Sequence, residues 1–66
     1  MNQDILAGKW RQVMGQAKQT WGKLTDDELA QVEGNAERLA GLLQEKYGQS
    51  QEQAAKSANT FFDQHR

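Results

Sequence analysis

Apolar residues recur at spacings of three and four along residues 4 to 21. Leu6, Trp10, Val13, Met14, Ala17 and Trp21 fall on one stripe of a helical wheel, which predicts an amphipathic helix. Gly22 follows Trp21 and is expected to end the helix as a left-handed C′ residue. Asn2 or Gln3–Asp4 supplies its start. Next, Thr25 and Glu28 have the spacing of a capping box, with Asp26 and Asp27 in the first turn, where the helix dipole favours anions. A short helix is predicted from about 26 to 33, burying Leu29 and Val32 and ended by Gly34. Asn35 caps a third helix with the stripe Ala36, Leu39, Ala40, Leu43 and Tyr47, ended by Gly48. Ser50 with Gln53 reads as a second capping box. The fourth helix carries Ala54, Ala55, Ala58, Phe61 and Phe62 and is expected to fray through residues 63–66.

The glycines add a longer period. Gly8, Gly15 and Gly22 are spaced by seven, as are Gly34, Gly41 and Gly48, and a shift of 26 residues superposes the triads and brings Trp21 onto Tyr47. The cap positions differ by one, since Thr25 shifts to 51 and the second cap is Ser50. The chain thus reads as a duplicated helical hairpin, with units at about 4–33 and 35–64 in one domain spanning 1–66. The class is all-α, a small four-helix domain.

On both wheels the glycine row lies about 150° from the centre of the apolar stripe. Gly8, Gly15 and Gly41 therefore face away from the core, each costing about 1 kcal/mol of helix propensity relative to alanine. Such a row is either a solvated face or a smooth surface that another backbone can approach. Arg11 and Lys18 share one direction on the first helix, so Gly8, Gly15, Gly41, Arg11 and Lys18 form the candidate interaction face.

Composition narrows the classes. The chain has 66 residues, a net charge of −1 and a mean hydropathy of −0.95. That polarity raises disorder as a possibility, but fifteen large apolar residues between Ile5 and Phe62, most of them on clean stripes, argue for a folded, marginal domain. There is no cysteine, so neither a disulfide framework nor a thiolate metal site is expected. No apolar run reaches the roughly 20 residues of a membrane span. The first residues lack the features of a signal peptide, which leads to the expectation of a cytosolic protein.

Catalytic candidates are sparse. The lone histidine, His65, is next to last, and Asp26, Asp27 and Glu28 diverge around a helix start. No phosphate loop or calcium loop occurs. The expected set of catalytic, cofactor-binding and metal residues is empty, no cofactor is expected, and the chain reads as a non-enzyme. From Ile5 to Leu24 there are four bases, Lys9, Arg11, Lys18 and Lys23, and no acid. Nucleic-acid binding would want exposed aromatics among them, whereas Trp10 and Trp21 point into the stripe. Residues 47–55 resemble the turn of a DNA-binding helical hairpin only weakly, lacking the second glycine and any base before Lys56.

A specific resemblance remains. Gly8, Trp10, Gln12 and Gly15, then Trp21, Gly22, Leu24, Thr25, Asp26 and Asp27, then Gly34, Leu39, Gly41, Gln44, Tyr47 and Gly48 spell a pattern similar to the CsbD-like family of small bacterial stress proteins. The resemblance implies a cytosolic protein induced in general stress and two orthogonally packed hairpins, like sterile-alpha-motif domains. It brings no catalytic or binding residues. The expected function is a non-enzymatic stress-response protein acting by binding or general protection, monomeric, with room for an unidentified protein partner. The alternative is a nucleic-acid-binding helical-hairpin domain.

Overall fold

The computed structural model describes residues 3–65, with side chains from residue 8 on. Asn2, the first of the expected caps, and the side chains of residues 3–7, Ile5 and Leu6 among them, lie outside the described residues, while Gln3 and Asp4 already stand in the helix. Four helices follow one another: α1 (Gln3–Thr20), α2 (Asp26–Val32), α3 (Ala36–Tyr47) and α4 (Gln51–His65). Among the described residues there are no strands.

Each apolar stripe meets the others in one core. Trp10, Val13 and Ala17 from α1, Leu29 and Val32 from α2, Leu39 and Leu43 from α3, and Ala54, Ala58, Phe61 and Phe62 from α4 are all buried. Trp21 and Leu24 join them from the α1–α2 connection. Each helix packs on its neighbour in sequence, and α1 also meets α4, closing a ring in which, among the described residues, the backbones of α1 and α3 do not come close. Contact is most extensive between α3 and α4. Buried alanines Ala54 and Ala58 on α4 are the physical reason, because their short side chains let two backbones come close.

Aromatic rings hold the two halves together. The Phe61 ring lies 5.0 Å from Trp21 and 6.5 Å, edge-on, from Trp10, while Phe62 lies 5.8 Å from Trp10. Such pairs contribute about 0.5–1.5 kcal/mol beyond the area they bury. Burying the Trp10 indole would strand its N–H, but that group donates to the Leu29 carbonyl, joining α1 to α2.

The caps explain most boundaries. Thr25 Oγ1 accepts from the Glu28 N–H at 3.1 Å and the Glu28 carboxylate accepts from the Thr25 N–H at 3.0 Å, a complete capping box. Asn35 Oδ1 accepts from the N–H groups of Glu37 and Arg38. Helix α2 ends through two left-handed residues, Glu33 (φ 53°) and the buried Gly34 (φ 76°). The first of these is unusual, because a side chain at positive φ is strained.

Three expectations need correction. Gly22 is not left-handed: positive φ among glycines is confined to Gly34 and Gly48. The chain instead leaves α1 through the Trp21 N–H bonded to the Ala17 carbonyl and the Leu24 N–H bonded to the Trp21 carbonyl. Ser50 Oγ accepts from the Gln53 N–H at 3.1 Å, but no reciprocal bond from the Gln53 side chain forms among the described residues, so this cap is one-sided. Helix α4 does not fray at residue 63 but continues to His65, whose ring lies 4.3 Å from Phe61. That contact supplies apolar cover for the last turn.

Candidate interaction face

The helical repeat puts Gly8, Arg11, Gly15 and Lys18 in one row along α1, and all four are exposed. A Cβ built at Gly8, Gly15 or Gly41 would meet nothing within 4 Å. The fold therefore gives these glycines no packing reason to be glycine. At the end of the row Lys18 Nζ pairs with Asp26 at 3.0 Å, in solvent. Arg11 borders a surface groove of about 250 Å³ between α1 and α2, whose other walls are Trp10, Met14, Ala30 and Glu33.

Gly41 is not brought to this row. It sits on α3, whose backbone does not come close to that of α1 among the described residues, and it borders two other grooves. One, of about 490 Å³ between α3 and α4, has Ala36, Ala40 and Ala55 with the amides of Gln44, Gln51 and Asn59. The other, also about 490 Å³, lies between α2 and α3 and has Val32 and Leu42 under Glu28, Glu33, Arg38 and Glu45. The candidate residues thus fall into two places: an α1 row of four, and Gly41 on another helix.

Electrostatics on the α2–α3 side centre on one ion pair. Lys46 Nζ lies 2.7 Å from Glu28 Oε2. The Lys46 hydrogen bond, then the Thr25 N–H, holds the Glu28 carboxyl below its ordinary range. The same carboxylate pushes the Lys46 ammonium up. Nearby, the Tyr47 hydroxyl accepts from the Lys23 N–H at 3.1 Å, and the Lys23 ammonium sits 5.2 Å from the Tyr47 ring centre. Neither link was visible in the sequence. Partners 18 and 24 residues apart leave no local spacing signal.

Among the described residues, no three His, Cys, Asp or Glu side chains gather to hold a metal ion. Among them, too, no helix is long and apolar enough to cross a membrane. Trp10 and Trp21 are 3% and 8% exposed, so neither offers a face on which a base could stack.

The description CsbD-like matches residues 4–56. A UPF0337 protein of Bordetella pertussis is 64% identical over 63 residues, covering 96% of each chain. A UPF0337 protein of Pseudomonas aeruginosa is 49% identical over 63 residues, covering 96% of this chain and 97% of that one. The UPF0337 protein YjbJ of Escherichia coli is 42% identical over 65 residues, covering 98% and 94%. No solved structure matches the chain. The chain belongs to the CsbD-like family.

Proposed function

We propose that this CsbD-like chain is a non-enzymatic stress-response protein of the bacterial cytosol that acts by binding, through the exposed row of α1, rather than by bulk protection as a disordered chain. One observation carries the reading. Gly8 and Gly15 stand in an ordinary helical stretch with open space around them, where alanine would fit and favour the helix. Glycines that the fold does not need are explained by a partner backbone that approaches them. A shared core built from all four helices speaks against a role that depends on disorder. The stress setting follows from the family name. The nucleic-acid reading loses its support because the aromatics near the bases are core residues.

Gly15→Ala tests this on one molecule. The variant is expected to melt higher, by up to about 1 kcal/mol of added stability. Cells that depend on it are expected to lose stress tolerance, measured by survival beside wild type. A variant that is more stable and fully protective overturns the binding role of this row.

A further inference from the structure

Sulfur occurs at two places in the chain, Met1 and Met14, and there is no cysteine. With no thiol to react first, oxidants of the peroxide class act on thioether sulfur. Met1 lies outside the described residues, so Met14 is the thioether whose surroundings are defined. Its neighbours on the apolar stripe, Trp10, Val13 and Ala17, are buried, but Met14 is only half-buried. It packs against the core and also lines the α1–α2 groove. That groove, of about 250 Å³, has room for several molecules the size of water, each taking about 30 Å³. Hydrogen peroxide is little larger than water, so it reaches Met14 in the folded protein without α1 having to leave α2.

The same groove has no place for the product. A sulfoxide oxygen is a hydrogen-bond acceptor and needs a donor when it leaves water. Among the described residues, Trp10, Arg11, Ala30 and Glu33 line the groove with Met14. The Trp10 N–H already donates to the Leu29 carbonyl. Ala30 has no donor, and Glu33 presents a carboxylate, which repels a second acceptor. Arg11 remains, and it is exposed at the rim. The sulfoxide therefore satisfies its oxygen only by turning out to Arg11 or to water, and in doing so it gives up its contact with the core. Trp10 stands one turn before Met14, and its bond to Leu29 ties α1 to α2, so the contact is lost at the joint between these helices.

We propose that Met14 is a reversible oxidation site through which peroxide loosens α1 from α2. In the step, a lone pair of the Met14 sulfur attacks one peroxide oxygen, the O–O bond breaks and an S–O bond forms. The sulfur is oxidised by two electrons and the peroxide is reduced. The departing hydroxide takes the proton of the transferred hydroxyl and leaves as water. Methionine sulfoxide reductases, one for each epimer, return the thioether. The proposal concerns the joint between two helices and does not depend on the binding role of the α1 row.

Treating the folded chain with hydrogen peroxide beside free methionine tests it, with peptide mapping to tell Met14 from Met1. Met14 should gain one oxygen at a rate within about tenfold of free methionine, whereas a route through unfolding alone would be slowed roughly a thousandfold or more by the small fraction of unfolded chain. The oxidised protein should melt at least about 4 °C lower than the untreated one. Its tryptophan emission should shift to the red as Trp10 loses cover, and the two reductases together should restore both signals. Met14→Leu nearly conserves volume and should fold. The same treatment should leave its melting temperature unchanged. If that variant fails to fold, the rate, the melting shift and its reversal on the wild-type chain decide alone. Oxidation of Met14 slower than the tenfold range, an oxidised protein as stable as the untreated one, a loss that the reductases do not reverse, or an equal loss in folded Met14→Leu overturns the proposal.

Discussion

The α1–α2 unit and the α3–α4 unit share a spelling but not a geometry. In the second unit Gly48 is left-handed at φ 67°, and its N–H bonds to the Gln44 carbonyl, closing α3. In the first unit Gly22, at the equivalent position, keeps an ordinary φ and has nothing near it. The equivalent aromatics also differ. Trp21 is buried against Phe61, whereas Tyr47 is half-buried and turns its hydroxyl to the backbone of Lys23, just after Gly22. Tyr47 of one unit thus holds the turn of the other. The two caps diverge as well, one reciprocal at Thr25 and one single at Ser50. The turn around Gln49 leaves that side chain's Oε1 buried without a partner. The lesson is that a repeat fixes where helices end more firmly than how the chain leaves them. The exit depends on what lies across the fold.

The largest test of this difference exchanges the two aromatics for alanine. Trp21→Ala removes a side chain that is 8% exposed and in ring contact with Phe61. Loss of a buried tryptophan costs about 3–5 kcal/mol, close to the whole stability expected of so small a domain. Tyr47→Ala should cost clearly less, because the ring is only half-buried and its hydroxyl bond is at the surface. Denaturant melts of both variants check this. Equal losses would mean that the units are energetically equivalent after all.

The second test concerns the glycines. Gly48→Ala forces a side chain into the left-handed region and should destabilise by about 1–2 kcal/mol. Gly22→Ala meets neither strain nor contact and should fall within about 0.5 kcal/mol of wild type. Paired thermal melts decide it. A comparable loss at both positions would restore the symmetric reading in which Gly22 is a left-handed cap.

These comparisons also mark what was legible in the sequence. The helices were, because period and caps are local. Thr25 with Glu28, Asn35 and Gly48 act on backbone groups within four residues, and they set three boundaries as expected. The outward direction of Gly8, Gly15 and Gly41 was legible for the same reason, since one wheel suffices. What escaped was non-local. Nothing in the spelling of α3 said that Gly41 would be held away from α1, because that depends on which helices touch. The ring of Phe61 keeps the last turn covered by meeting His65, and that hid the helical state of residues 63–65. Glu33 escaped because no rule assigns a left-handed glutamate. Its conformation is imposed by the short distance from α2 to the Asn35 cap, with the Asn35 N–H bonded to the Val32 carbonyl.

The smallest expected effect lies in the ion pair that joins the units, Glu28 of α2 with Lys46 of α3. Glu28 titrates below its ordinary range when folded, because the Lys46 hydrogen bond and then the Thr25 N–H favour its charged form. Its contribution is therefore present above the unfolded glutamate value, about 4.3, and is lost as pH falls through the lower folded value. Lys46 is shifted the other way, raised first by the same hydrogen bond to Glu28. Its contribution is complete below the unfolded lysine value, about 10.4, and is lost as pH rises through the higher folded value. Both groups are near solvent, so each effect is small and shrinks with added salt. In Glu28→Gln the neutral amide keeps an acceptor for the Thr25 N–H, so the cap is largely spared while the charge is gone. Melting temperatures of wild type and Glu28→Gln across the acid range should differ at neutral pH and converge below about pH 4.3. Salt should narrow the gap at neutral pH. A gap that persists at the acid end would show that Glu28 holds α2 through its cap geometry alone, and that the two units are not joined by charge at this point.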